Sequence, residues 1–346
     1  MHRQSDPAPE LNQPDTGKPS MTGADARAKT PAQLNELLEQ GKISPEAYAE
    51  YSATADAVLP TSLESSGHTH NTAPTRFAEA DGIRFASRRF GNPIGTPMVL
   101  LQHFMGNLDT YDPAITDALA AGREVILTDN AGVGLSTGAA PATVAGMARD
   151  AASLIDALGL EQVDLFGFSM GGYVAQQITS DRPELVRRLI LVGTGPRGGD
   201  GMAQLAPNTA PLFGKVYDPQ DLMWLPIFFS PSDASQAAGR RYLERIRARR
   251  EDRDVPVSDA TVAAHSAAAR QWGAAAPGSF DYLNRISQPT LVINGNNDIV
   301  VPTLNSYILQ QNLPNAELIL FPDSNHGSHF QFTEQFNRYA TDFVDR

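Results

Sequence analysis

Between a strand at residues 163–166 and a helical stretch at 172–180 the chain reads Gly167-Phe168-Ser169-Met170-Gly171-Gly172. A strand that passes into a helix through so few residues must turn sharply, and glycines on both sides of the serine let neighbouring backbone pass without a Cβ in the way. Such a turn lifts the serine hydroxyl out of the sheet edge. It also aims the free N–H groups and positive dipole end of the helix at any negative charge that develops there. A strand–helix unit of this kind belongs in a sheet of further parallel strands, which the rest of the chain must supply.

Strand patterns recur at 98–101, 124–127, 188–192, 290–293 and 317–321, with helical stretches at 142–158 and 304–313, and Asp81-Gly82 between two alternating runs reads as an entering hairpin. This is the pattern of an α/β fold, a mostly parallel sheet with helices on both faces, over residues 76–346. Almost a hundred residues separate the strand ending at 192 from the one beginning at 290, with helical spacing and no strand signal. A plain crossover is far shorter, so an inserted helical lid is expected at about 197–285.

A nucleophilic serine needs a base and a residue that orients the base. After the strand at 290–293 comes Asn294-Gly295-Asn296-Asn297-Asp298, and after the next strand Pro322-Asp323-Ser324-Asn325-His326-Gly327. The order serine, acid, histidine, each at the carboxyl end of a strand, makes Ser169 the candidate nucleophile, His326 the base and Asp298 the orienting acid. With no cysteine in the chain, serine must carry any such chemistry.

On these residues the chain resembles the α/β-hydrolase superfamily over about residues 77–344. Within it, the chain is similar to the serine hydrolases with a helical cap, among them esterases, carbon–carbon bond hydrolases and cofactor-free perhydrolases. The resemblance implies an oxyanion hole made by the backbone N–H groups of Met170 and of Phe104, the latter in Gln102-His103-Phe104-Met105-Gly106-Asn107, where Phe stands in place of the usual Gly. The run Asp129-Asn130-Ala131-Gly132-Val133-Gly134-Leu135-Ser136 echoes a family motif without its Arg and is assigned a structural role. Asn325 stands where Gly is usual and is expected to keep a positive-φ turn. Serine at 169 sets the chain apart from the dehalogenases and epoxide hydrolases of this fold, which use Asp there. The implied activity is hydrolysis of an ester-like bond (carboxylic ester, lactone or thioester) of a small apolar substrate through an acyl-enzyme. Carbon–carbon bond cleavage or perhydrolysis is the alternative on the same triad, and a catalytically silent ligand-binding or scaffold protein is the alternative of another class.

No P-loop and no H-E-x-x-H run occurs, so neither a nucleotide cofactor nor a catalytic metal is expected. Gly193-Thr194-Gly195-Pro196-Arg197-Gly198 matches the dinucleotide fingerprint in letters, but Pro196 and Gly199-Asp200-Gly201 make a loop where that fingerprint needs a helix. Trp224, Phe228 and Phe229 lie in an apolar cluster that lines a substrate pocket or forms the core of the lid. The arginines of 240–253, spaced among Glu and Asp, read as a solvated helix face. His329 is a second candidate base, ranked below His326 because His326 directly precedes Gly327. His103 reads as a structural hydrogen-bonder, His265 as a residue of the lid surface, and Asp323 as a turn former.

Residues 1–29 are polar and broken by prolines, and a disordered tail is expected. A helical hairpin arm is expected at 30–61, opening at Thr30-Pro31 and again at Ser44-Pro45. Its pattern Leu34, Leu37, Leu38, Gly41, Ile43, Ser44 and Tyr48 resembles the short helical SHOCT-type modules; packing on its own domain or on a second subunit, giving a homo-oligomer, is the other reading. Residues 62–75 read as a linker in which His68 and His70 are solvated. The net charge of −12 opposes a nucleic acid or an anionic membrane surface as partner, which leaves a small molecule. No apolar run is long enough for a secretory signal or a membrane span, so the cytoplasm is the expected location.

Overall fold

The computed structural model describes residues 67–346. The expected tail at 1–29, the arm at 30–61 and residues 62–66 of the expected linker lie outside the described residues. The strands β1 Arg76–Ala80, β2 Ile83–Gly91, β3 Met98–Leu101, β4 Glu124–Thr128, β5 Val163–Phe168, β6 Val186–Val192, β7 Thr290–Gly295 and β8 Ala316–Phe321 form one sheet in the order β1-β2-β4-β3-β5-β6-β7-β8. β2 runs antiparallel to β1 and β4, and all other neighbours are parallel. The turn that starts it has Asp81 at φ 51° and Gly82 at φ 77°, the left-handed pair that a two-residue hairpin needs.

Alternation along the parallel strands feeds two apolar layers. Val99, Ile126, Leu165 and Leu189 are paired in register and belong to one layer. Their neighbours Leu100, Leu127, Phe166, Ile190 and Leu291 are paired in register and belong to the other. Both faces must therefore be covered, which is why these strands are apolar at successive positions.

The cover comes from α1 Pro113–Ala120, α2 Val144–Ala157, α3 Met170–Asp181, α8 Leu304–Asn312, α9 Ser328–Gln331 and α10 Thr333–Asp345. Between β6 and β7 the described chain forms α4 Ala210–Gly214, α5 Trp224–Phe228, α6 Asp233–Ile246 and α7 Asp259–Gly273, with short 3-10 turns and no strand. The two long helices of this insertion begin on serine caps: the Ser232 and Ser258 hydroxyls accept the Ser235 and Thr261 N–H groups at 3.2 Å each. Among the described residues no helix is long and apolar enough to cross a membrane.

Two readings of the chain need correction. His70 is buried, with its N–H donating to Asp117 at 2.6 Å and its Nδ1 2.9 Å from the Thr116 hydroxyl. Burial, with Arg88 nearby, lowers its pKa to about 3, so the ring enters the core neutral and needs no counter-charge. The arginines of 240–253 are not one solvated face either. Arg240 and Arg241 are exposed, but Arg245 reaches back to Asp112, the N-cap of α1, through two bonds of 2.7 and 2.5 Å, and Arg249 is buried against the carbonyl of His70. Their long stems let charges on the insertion find partners on the sheet domain.

Candidate active site

Ser169 links β5 to α3 with φ 55° and ψ −119°, a left-handed conformation costing about 1–3 kcal/mol that only a tightly specified turn retains. The turn is specified on every side. The Ser169 N–H donates to the Val192 carbonyl at 2.8 Å, and the Ser169 carbonyl accepts the Thr194 hydroxyl at 2.8 Å and the Gly172 N–H at 2.9 Å. A Cβ at Gly171 would be driven into the Leu101 carbonyl, so the start of α3 meets β3 at a distance that only glycine permits. The 193–198 run that imitates a dinucleotide motif thus buttresses the serine turn through Thr194 and is not followed directly by a helix.

Asp298 lies in the loop after β7. Its Oδ1 accepts the Val300 and Val301 N–H groups at 2.8 and 3.0 Å, which turns Oδ2 toward His326 Nδ1, 2.8 Å away. A carboxylate only accepts, so the imidazole proton sits on Nδ1 and the lone pair of Nε2 faces the Ser169 hydroxyl, also at 2.8 Å. All three side chains are buried. The three residues read from strand order and spacing are therefore brought together in one hydrogen-bonded chain.

Asn325 departs from expectation, because its φ is not positive; the left-handed residue of this loop is Asp323, at φ 44°. Asn325 works through its side chain, whose Oδ1 accepts the N–H of Ile299 and of His326 at 2.9 Å each and so ties the Asp298 loop to the histidine loop. Asp323 accepts the Ser232 hydroxyl at 2.6 Å and makes no bond to His326. His329 stacks edge-on to Phe168 with centroids 4.4 Å apart, and burial holds its pKa well below the usual histidine value. It forms part of the core packing.

Ser169, Met170, Phe104 and His326 line one cavity of about 490 Å³. Among the described residues neither the Phe104 nor the Met170 N–H has an acceptor. The ring of His103 serves the backbone beside them, its Nδ1 bonded to the Phe104 carbonyl at 2.8 Å, while burial lowers its pKa to about 3. Trp224 and Phe228 line the cavity, stacked on each other with centroids 4.7 Å apart. Phe229 does not. It follows the last residue of α5 and points the other way, packing on Gly239 of α6 and on Tyr242. His265 is likewise buried in α7 beside Phe104, where burial lowers its pKa to about 4, and is not a surface residue.

The sequence reading did not identify Tyr173, Phe213, Ile227 or Val262, which complete much of the wall. Tyr173 carries a usable signal, since it stands one helical turn beyond Ser169 and shares its face. The other three come from the insertion, where no motif marks them.

Comparison with known proteins agrees with this architecture. A family profile described as alpha/beta hydrolase fold matches residues 96–333. The solved structure of an alpha/beta hydrolase fold protein from Chitinophaga pinensis is 38% identical, with a TM-score of 0.76, covering 80% of this chain and 99% of that one. A poly(3-hydroxyalkanoate) depolymerase of Ectopseudomonas oleovorans is 30% identical over 246 residues, 70% of this chain and 81% of its own. A 2-hydroxy-6-oxononadienedioate/2-hydroxy-6-oxononatrienedioate hydrolase of Burkholderia vietnamiensis is 31% identical over 245 residues, 66% of this chain and 80% of its own. Sheet order, profile match and relatives agree, and the chain belongs to the alpha/beta hydrolase fold family.

Proposed function

We propose that the protein is a serine hydrolase that cleaves an ester-like bond of a small, largely apolar substrate. The observation that carries this is the unbroken chain Asp298–His326–Ser169, 2.8 Å at each link, opening on an apolar cavity. His326 Nε2 takes the Ser169 proton as the oxygen attacks the carbonyl, and the N–H groups of Phe104 and Met170 receive the oxyanion. His326 then protonates the leaving group, and a water activated by the same nitrogen releases the acid. Asp298 holds the Nδ1–H tautomer throughout and supports the imidazolium. The insertion acts as a lid: Trp224, Ile227 and Phe228 wall the acyl site, and the Gly327 N–H donates to the Phe228 carbonyl at 2.9 Å, which ties the lid to the histidine loop.

The depolymerase relative supports ester chemistry, because units of a poly(3-hydroxyalkanoate) are joined as esters. The relative that hydrolyses a 2-hydroxy-6-oxo acid favours carbon–carbon cleavage as a second reading. The two are separated by comparing turnover of p-nitrophenyl esters with that of a vinylogous diketone acid. Labelling by a fluorophosphonate probe tests the serine itself, and absence of labelling removes both readings in favour of a silent ligand-binding protein.

Every residue invoked lies after residue 103 and within the span 96–333 that the family profile matches. Deletion of residues 1–60 is therefore expected to leave ester turnover intact. An ester assay beside size-exclusion chromatography with light scattering checks it, and a truncated protein that is folded but inactive would assign the leader a part in the site.

A further inference from the structure

The loop that carries Phe104 is held from below by two acids that come from different parts of the chain. Asp129, at the end of β4, accepts the Leu108 N–H on Oδ1 at 2.9 Å; Asp254, in the segment between α6 and α7, accepts the same N–H on Oδ2 at 3.2 Å. Both carboxyls meet over Gly134, at φ 55°, where a Cβ would strike Asp129 Oδ2 and both oxygens of Asp254. Asp129 is buried, and its Oδ2 has no donor among the described groups. Two ionised carboxylates in this arrangement would repel and leave that oxygen unsatisfied. One proton between them removes both costs.

We propose that Asp129 and Asp254 share one proton, and that this carboxyl pair clips the 249–255 segment of the helical insertion to the loop bearing Phe104, which makes Asp254 a positioning residue for the oxyanion donor. The inference rests on the reading of Phe104 given above. Neighbouring contacts follow the same seam. The Asp254 N–H donates to Asp109 at 2.9 Å, and the Asn107 side-chain amide donates to the Val255 carbonyl at 3.1 Å. The charged and titratable groups that bear on the pair are Arg88 on β2, Asp109 and Tyr111 on the Phe104 loop, and Arg253 next to Asp254 on the insertion. Arg88 and Arg253 are both engaged by Asp109, at 2.7 and 3.3 Å. Arg88 still favours the ionised form of Asp129, but by less than burial and Asp254 oppose it.

Burial and Asp254 together hold the Asp129 pKa well above the usual carboxylate range. The folded protein then keeps a proton that the unfolded chain releases above about pH 4, so this pair's contribution to stability is full below that pH and is lost as pH rises through the raised value. An asparagine at 254 carries its hydrogens permanently and removes that dependence.

The test measures the thermal midpoint and kcat from about pH 5 to about pH 10 for the full-length wild type, Asp254→Asn and Asp254→Ala. Wild type is expected to lose both at the alkaline end of this range. Asp254→Asn should flatten both profiles at the alkaline end, and Asp254→Ala should lower kcat at every pH by roughly tenfold or more, bounded by the ~10²–10³ that loss of a whole oxyanion donor costs. Asp129→Asn supplies the same donor from the other side if Asp254→Asn does not fold. An Asp254→Asn profile that tracks wild type, or wild-type kcat in Asp254→Ala, overturns the proposal. So does a thermal midpoint raised by calcium chloride and lowered by a chelator, which would put a cation where the proton is. The thermal profiles need no substrate, so failure of the ester reading leaves the clip testable on its own.

Discussion

Ser169→Ala is expected to abolish ester turnover, with a loss of about 10⁴-fold or more in kcat, while the folded state stays close to wild type. The size of the effect follows from the chemistry, since no cysteine exists to substitute and His326 Nε2 is aligned on the Ser169 hydroxyl alone. The survival of the fold follows from where the turn is specified. Val192, Thr194 and Gly172 hold the backbone of residue 169, and none of them touches the hydroxyl. Alanine in a left-handed conformation keeps the existing strain and removes one buried oxygen. Steady-state kinetics with a p-nitrophenyl ester, and a thermal melt of the same preparation, check the two halves. Retention of more than about a hundredth of wild-type activity would point to a different nucleophile.

Ser169, Asp298 and His326 were legible because each lies in the turn or loop at the carboxyl end of a parallel strand, two of them fully buried and the third, β8, at the sheet edge, where apolar content makes the boundary clear and the chemistry narrows the residue type. The sheet and its entering hairpin were legible for the same reason. The insertion was not. In Trp224–Phe228 and the residue after it, apolar side chains occupy nearly every position, so the run has no period to say which ones face a cavity; packing against Gly239 turns Phe229 away. His265 shares a helical face with Val262, Ser266 and Ala269, which line the cavity, but a polar residue amid alanines gives no sign that its face is buried. The expected helices also leave out α10, although Phe336, Ala340, Phe343 and Val344 keep helical spacing there. Asp254 and the arginines from 245 onward take their meaning from partners up to about 180 positions away in sequence, and charge spacing along one helix cannot name such partners.

The orienting role proposed for Asp298 offers the second large effect, and its direction comes from a detail of the Asp298 loop. In Asp298→Asn the two backbone donors, Val300 and Val301 N–H, continue to demand an acceptor, so the amide oxygen takes the place of Oδ1 and the NH₂ group takes that of Oδ2. An N–H then faces His326 Nδ1, which must accept it. The ring proton moves to Nε2, and the nitrogen that should receive the serine proton already carries one. A loss of about 10⁴-fold in kcat is expected at neutral pH, the magnitude typical of a triad trapped in the wrong tautomer. Asp323→Asn makes the contrast. Asp323 is exposed at φ 44°, a conformation asparagine adopts readily, and its one side-chain partner is the Ser232 hydroxyl, so turnover and stability should stay within about twofold of wild type. Parallel kcat measurements on the two variants decide the assignment. Equal losses, or a larger loss at Asp323, would transfer the orienting role to the histidine's own loop and would make the 2.8 Å bond from Asp298 structural.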